Sequence, residues 1–229
     1  MAPSRSRMGE ETDSFSSEAA LVSEIIANWI SSKSNSFRAL TEVESPNGIA
    51  DLVFFKLRQD WVECSVLGSV PPRWAYLLSC LPTRRVFGLD FLSTVSGSSE
   101  RRAREAAEQF VSLGICKRAS GRDTWLKDRK VPLPLSKVVA LEAKLKDWRR
   151  AILQASRYKA FANQSWVVMD GKYAAPAIEN IREFAQRNVG LATLSSNGKL
   201  STMYTPVQRR PHDPMSQWFV NAGIIGRIL

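Results

Sequence analysis

The chain has 229 residues, of which 44% are hydrophobic and 24% charged, a composition typical of a globular protein with one domain or two small ones. Lysine and arginine outnumber aspartate and glutamate by 32 to 22, and the net charge of +10 favours a polyanion, most commonly a nucleic acid, as a partner, although a merely soluble basic surface would carry the same charge. The single histidine, His212, excludes His-dependent triads and multi-His metal sites, so any catalysis must use carboxylates and lysine.

The cysteines and the apolar runs indicate the compartment. Cys64, Cys80 and Cys116 lie far apart without a C-x-x-C pair, so we expect neither a disulfide framework nor a zinc site, and a reducing cytoplasm fits best. No apolar run approaches the roughly 20 residues that cross a bilayer, and no membrane partner is expected. Residues 1–17, rich in serine and charge, predict a disordered lead-in.

The predicted elements begin with a helix and a β-hairpin. Apolar side chains recur at helical spacing over residues 18–30, directly after serines that suit an N-cap. Two strand-like runs, 37–44 and 49–57, then flank Asn47-Gly48, a dipeptide typical of hairpin turns, which places Asp51 near the start of the second strand. A third run, 61–67, predicts one more short strand before a proline pair.

Residues 71–130 predict an inserted domain. Amphipathic patterns indicate helices at 74–81, 88–95 and 99–113, and two short strands joined by a turn follow them. Three helices and a hairpin make a winged helix-turn-helix in outline. The alternative is a solvated helical face whose arginines are offset by neighbouring glutamates. In the first interpretation, the residues placed to meet phosphates or base edges are Arg101, Arg102, Arg104, Lys117, Arg118 and Arg122.

After the insertion the pattern alternates between strands and helices. The predicted order outside the insertion is α-β-β-β-α-β-α-β-β, an α/β sandwich with a mixed sheet and helices on both faces. The core would comprise residues 18–70 and 131–205, and residues 206–229 predict either a docking tail for a partner protein or a final packed helix. The predicted elements are a strand at 137–145, a helix at 147–162, a strand at 165–169, a helix at 176–187 and strands at 189–194 and 200–204.

The chemistry centres on the strand Val138-Val-Ala-Leu-Glu-Ala-Lys144. Glu142 and Lys144 are two residues apart, so both side chains project from the same face of the sheet. Asp51 on a neighbouring strand would add a second carboxylate, and with the Ala143 carbonyl these oxygens suit magnesium. Lys144 would orient or deprotonate a water, or neutralise charge on a phosphate. The alternatives are a surface ion pair for Glu142 and Lys144 and a solvated strand-start residue for Asp51.

These residues resemble a known family. Gly48-Ile-Ala-Asp51, then Glu142-Ala-Lys144, then Gln154-Ala-Ser-Arg-Tyr158 are similar to the motifs of the PD-(D/E)XK nuclease superfamily, over about residues 18–70 and 131–205. The resemblance implies a restriction-endonuclease-like fold with a winged-helix-like insertion, and Mg²⁺, or Mn²⁺ in its place, as cofactor. It also implies that Asp51 and Glu142 bind metal, that Lys144 is the catalytic lysine and that Gln154 lies near the site.

The sequence offers one addition to the family's motif and departs from it in two ways. A further acidic residue on the first helix, Glu24, would add to the metal site, with Glu42 and Glu44 as competitors. The motif's proline is absent, because Ile49 and Ala50 precede Asp51. The two carboxylates lie 91 residues apart, a separation that the insertion explains if the chain returns to the same sheet.

The leading functional prediction is a magnesium-dependent DNA nuclease. Duplex DNA would lie along the insertion and along the basic face of the helix after the catalytic strand, which carries Arg149, Arg150 and Arg157. One alternative is a non-cleaving DNA-binding or regulatory protein that keeps the fold. Another is a toxin-like or defence effector tied to a partner protein, and a homodimer is an open alternative to a monomer.

Overall fold

The computed structural model describes the backbone of residues 14–32 and 36–229 and the side chains of residues 14–28 and 36–229. The strands are β1 (Arg38–Ser45), β2 (Gly48–Leu57), β3 (Val86–Gly88), β4 (Cys116–Arg118), β5 (Thr124–Lys127), β6 (Leu135–Lys144), β7 (Gln164–Asp170), β8 (Gly190–Leu194) and β9 (Leu200–Tyr204). The helices are α1 (Glu18–Ser32), α2 (Pro72–Cys80), α3 (Leu89–Ser96), α4 (Glu100–Ser112), α5 (Trp148–Tyr158), α6 (Ala175–Glu179), α7 (Ile181–Arg187) and α8 (Pro214–Ile228).

A mixed six-stranded sheet forms the centre of the molecule, in the order β1-β2-β6-β7-β8-β9. The hairpin strands β1 and β2 are antiparallel, β2 is antiparallel to β6, and β6, β7 and β8 are parallel. Leu52 of β2 pairs with Leu141 of β6, so the chain does return to the same sheet after the long excursion. Strand β9 closes the far edge antiparallel to β8.

Helices cover both faces of this sheet. On one face Leu21 and Ile25 of α1 pack against the even-numbered side chains of β2, Leu52 and Phe54. On the other face α5, α7 and α8 bury a larger set that includes Phe184. The predicted α/β architecture with a mixed sheet between helices is therefore confirmed. The helix predicted at 176–187 is divided into α6 and α7 at Asn180.

The strand predicted at 61–67 is wrong. Residues Trp61–Ser69 form a 3-10 helix, in which Cys64 and Leu67 are buried and Val62 is exposed. A spacing of three between buried residues matches three residues per turn, whereas a strand would bury alternate positions. The β-branched and aromatic residues of this segment favoured a strand, but packing against α8 selects the helix.

The insertion, residues 71–130, forms a second, smaller unit. Helices α2, α3 and α4 pack around Phe110 and Trp125, and a three-stranded antiparallel sheet runs in the order β3-β5-β4. The three-residue strand β3 was not predicted, because Val86 to Gly88 is too short for a periodic pattern. Ala222 of α8 completes this second cluster.

Helix α8 joins the two units, and the C-terminal residues therefore form a packed helix rather than a free tail. Val220, Ile224 and Ile225 are buried in the main core, and the Asp213 carboxylate caps the first turn. Glycines allow its last turn to approach the 3-10 helix, because a Cβ at Gly226 would lie 2.8 Å from the carbonyl oxygen of Gly68.

The start of the described chain is anchored to the sheet. Residues 1–13 of the predicted lead-in lie outside the described residues, but Ser14 and Phe15 bind the buried Asp170 carboxylate through their hydroxyl and amide groups. Ser17 caps α1, since its hydroxyl accepts from the Ala20 amide at 3.1 Å. Within residues 14–32 and 36–229, no helix is both long enough and apolar enough to span a bilayer.

The close approach of α8 to residue 68 generates a matched stability test. We expect Gly226→Ala to destabilise the fold by about 1–3 kcal/mol, because the new methyl group would overlap backbone. Gly223→Ala, in the same helix, would meet only Pro72 at 3.9 Å and should stabilise by up to about 1 kcal/mol through helix propensity. Urea unfolding measures both, and equal effects of the two substitutions would contradict this packing.

Candidate functional site

The site is built on the carboxyl end of β6, between the antiparallel β2 and the parallel β7. Glu142 is completely buried there, and Lys144 lies two residues further on the same face with 13% of its side chain exposed. Lys144 Nζ lies 3.1 Å from Glu142 Oε1, at ion-pair distance, but outside hydrogen-bond geometry, so this buried oxygen accepts no hydrogen bond within the described residues. A buried carboxylate oxygen is costly unless a cation lies beside it, and the Lys144 ammonium is the cation at this oxygen.

Asp51 reaches the site from β2, just beyond the last residues that pair β2 with β6. The β2–β6 ladder ends at Leu52 and Leu141, and beyond it the Ala143 amide donates to Asp51 Oδ2 at 2.8 Å. A side chain thus replaces the backbone partner at the point where the strands separate. The structure therefore brings Asp51, Glu142 and Lys144 together, although the chain runs through the whole insertion between them.

Tyr158 is the fourth member of this cluster. Its hydroxyl lies 2.5 Å from Glu142 Oε2 and 2.7 Å from the carbonyl oxygen of Ile49. A phenol has one hydrogen, so both contacts are full hydrogen bonds only when Glu142 is protonated and donates to the tyrosine, which then donates to Ile49. Tyr158 is thus both packed in the main core and bound to the central carboxylate.

Burial sets the titration of the two carboxyl groups. Desolvation raises the pKa of Glu142, although the hydrogen bond from Tyr158 opposes it. Desolvation also raises the pKa of Asp51, against the hydrogen bond from the Ala143 amide. Without a cation in the site, both groups therefore favour their protonated forms more than exposed carboxyls do.

The pKa of Lys144 is raised, whereas burial usually lowers the pKa of a lysine. Burial alone would lower its pKa, but the contacts with Glu18 and Glu142 outweigh desolvation and raise it. Its ammonium donates to Glu18 Oε2 at 2.9 Å. Lys144 therefore stays charged at neutral pH and acts as a fixed cation.

Glu18 is the acidic residue that the sequence interpretation missed. It is the first residue of α1, and the helix starts directly beside the end of β6. Of the candidates proposed instead, Glu42 lies opposite Asp51 in β1 and its charge raises the pKa of Asp51. Glu24 accepts from Asn28 Nδ2 at 3.0 Å and lies beside the β8–β9 turn, whereas Glu44 is exposed in the hairpin. The cap at Ser17 was the sequence signal that could have indicated Glu18.

Gln154 lies on α5, one turn before Tyr158, and is half-buried. Its Oε1 atom is buried and, among the described residues, has no hydrogen-bond partner. The helix thus points one unsatisfied acceptor and one hydroxyl toward the interior from the same face.

The basic residues of the insertion are mostly paired with acids. Arg104 contacts Asp123, Arg118 contacts Glu108 at 2.6 Å, and Lys117 contacts Asp128 at 2.5 Å. Arg101 pairs with Glu105 at 3.2 Å, and the highly exposed Arg122 lies 4.0 Å from Asp123. Arg102 makes no ion pair with any described residue. The interpretation as a solvated face offset by acids therefore fits most of these residues, and contact with DNA stays a prediction. The block keeps a net positive charge, with twelve basic and six acidic residues between 71 and 130.

The basic residues of α5 are less compensated. Arg149, Arg150 and Arg157 are all exposed, and none of them forms an ion pair with a described residue. The guanidinium of Arg149 lies over the Trp148 ring, 4.6 Å from its centroid. Arg150 and Arg157 are two helical turns apart on one face, and the first turn of α5 follows β6 after three residues.

Comparisons with known proteins add no family to this geometry: no family model, no curated protein and no solved structure matches the chain.

The buried charge at residue 142 generates a stability prediction. Because the folded-state pKa of Glu142 is raised, the native carboxyl favours the proton, and ionising it at neutral pH costs stability. We expect Glu142→Gln to raise the melting temperature at pH 8 by about 2–4 °C, the shift that about 1 kcal/mol gives in a domain of this size.

The pH dependence is the control for that substitution. The difference between the two proteins should shrink as the pH falls through the folded pKa and disappear below the ordinary value of 4.5, where both side chains are neutral. Thermal denaturation between pH 4 and pH 8 measures it. A variant that is destabilised at pH 8 and not at pH 4 would show that the carboxylate is a stabilising ion-pair partner instead.

Proposed function

We propose that the protein is a metal-dependent DNA nuclease of the PD-(D/E)XK type, with Asp51, Glu142 and Lys144 as its catalytic group. The observation that supports this most is the convergence of two carboxylates and one ammonium at the end of β6, with Glu142 fully buried. The alternative explanation of Glu142 and Lys144, a surface ion pair, requires exposed side chains. It does not fit Glu142, which has no accessible surface.

The residues present fit a magnesium ion. Asp51 and Glu142 offer hard carboxylate oxygens, and Glu142 Oε1 is buried without a hydrogen bond. In the described part of the chain, no three His, Cys, Asp or Glu side chains form a ready metal cluster, but magnesium commonly uses only one or two carboxylates together with substrate phosphates. A bound magnesium ion supplies Lewis-acid stabilisation of the phosphate and an activated water.

The chain's own groups have separate tasks in this proposal. Lys144 stays charged because of its raised pKa, so it stabilises negative charge on the phosphate and is a poor general base. Tyr158 holds the Glu142 carboxylate in place through its hydroxyl. Glu18 competes with the phosphate for Lys144, and its exposed position at the start of α1 allows it to move away.

The insertion is proposed to act as a winged-helix module that holds duplex DNA. Its three helices and three-stranded sheet fit that class of module, and its net positive charge favours phosphate contacts. The exposed arginines of α5, whose first turn follows β6 after three residues, would add phosphate contacts beside the site. A non-cleaving DNA-binding protein with the same fold is the alternative that the cleavage assay addresses.

Cleavage itself is the first test. We expect the purified protein to nick plasmid DNA with Mg²⁺ or Mn²⁺, and Lys144→Ala or Asp51→Asn to reduce the rate on the order of 100-fold or more while DNA binding persists. Lys137→Ala is the matched control, since Lys137 lies on the same strand at its opposite end. Binding without cleavage by the wild type would favour the regulatory protein, and full activity of Lys144→Ala would remove the proposed site.

Salt dependence tests the basic face of α5. Substituting Arg150 and Arg157 together by alanine should reduce the slope of log K against log salt by about two, because each phosphate contact contributes about 0.9. Arg118→Ala, whose charge is offset by Glu108, should change the slope little. Fluorescence anisotropy with a labelled duplex measures the slopes, and identical slopes for all three proteins would place the DNA elsewhere.

A further inference from the structure

A cavity of about 460 Å³ lies between α2, the turn before α4 and the start of α8. Trp74 and Tyr76 of α2 provide its aromatic wall. Val95 and Met215 lie at its rim and are 37% and 52% exposed. Two aromatic rings beside exposed apolar side chains offer a surface on which a flat ring can stack.

Two uncompensated cations line the same cavity. The guanidinium of Arg73 lies over the Trp74 ring, 4.8 Å from its centroid, and Arg102 reaches the cavity from the first turn of α4. Neither arginine forms an ion pair with a described residue. Glu105 is the acid in the lining, and it is already paired with Arg101 at 3.2 Å. The cavity is therefore electropositive and suits a ligand with both a flat ring and a phosphate.

The position of the cavity relates it to the catalytic group. Ser216, the residue after Met215, accepts from Asn47 Nδ2 at 2.7 Å, so the cavity adjoins the turn between β1 and β2. From that turn β2 runs directly to Asp51, four residues away, or about 13 Å of extended chain. The cavity and the carboxylates thus lie at the same end of the sheet.

We propose that this cavity binds an unpaired nucleotide, with its base against Trp74 and Tyr76 and its phosphates on Arg73 and Arg102. The substrate class would then be DNA with a single-stranded end or overhang, since the base must leave its duplex stack to enter. Stacking platforms of this kind accept any base, so the selectivity is for strand structure rather than for sequence. The cleavage part of this inference rests on the proposed nuclease function, and the binding part does not.

The binding test compares a duplex carrying a three-nucleotide overhang with the blunt duplex, by anisotropy in Ca²⁺ to prevent cleavage. We expect a preference for the overhang of about tenfold, the effect of one stacked base. Arg102→Ala combined with Trp74→Leu should abolish the preference, which is measured as the ratio of overhang affinity to blunt-duplex affinity within each protein, so that a general loss of duplex binding cancels. Arg122→Ala, an equally charged change on the β4–β5 turn, should leave the preference intact.

Photo-crosslinking keeps the test independent of folding effects in the variants. An overhang containing 5-iodouracil should crosslink the wild-type protein at Trp74 or Tyr76, as identified by peptide mass spectrometry. Crosslinks confined to other positions, or equal affinity for the two duplexes, would overturn the assignment. If crosslinking succeeds but no DNA is ever cut, the nuclease proposal fails and the nucleotide site stands. If overhang and blunt duplexes are cut equally and no crosslink forms, the nuclease proposal stands and the nucleotide site fails.

Discussion

A carboxylate buried in the central strand is the constraint on which the rest of the site depends. Removing an ion from water costs several kcal/mol unless partners surround it, and Glu142 has no exposed surface. Lys144 offsets its charge at one oxygen, and the Tyr158 hydroxyl binds the other. These partners come from β6 itself and from α5, so the strand and the helix after it form the minimum unit that can hold this charge.

Strand β2 and helix α1 add two further acidic residues around Glu142 and Lys144. Strand β2 brings Asp51 to the Ala143 amide, and α1 brings Glu18 to the Lys144 ammonium. A raised pKa on both carboxyl groups shows that the protein partners do not fully compensate for desolvation. Buried carboxyl groups with raised pKa values are found more often at functional sites than elsewhere in a protein.

Helix α8 determines how the insertion is placed relative to this site. Its side chains belong to both hydrophobic clusters, with Ile224 in the main core and Ala222 in the smaller one. Its first turn contacts the β1–β2 turn through Ser216, and its last turn packs on Gly68. One helix therefore packs against both units.

Much of this fold could be predicted from local sequence patterns, because turns and strand faces depend on residues that are close together in the sequence. The Asn47-Gly48 turn specified the hairpin, and the two-residue spacing of Glu142 and Lys144 specified a shared face. The 3-10 helix at 61–69 was misassigned because its residue types favour strands and only tertiary packing selects the helix. Contacts between distant residues were likewise beyond the sequence, among them the Lys144 contact with Glu18 and the double contact of Tyr158.

Diffraction from crystals grown with Mn²⁺ tests whether Asp51 and Glu142 form a cation site. We expect an anomalous difference peak within coordination distance of both carboxylates, with the 3.1 Å contact between Glu142 and Lys144 lengthened as the cation binds the buried oxygen. A map with no peak at this position, and with the ion pair unchanged at saturating Mn²⁺, would contradict it.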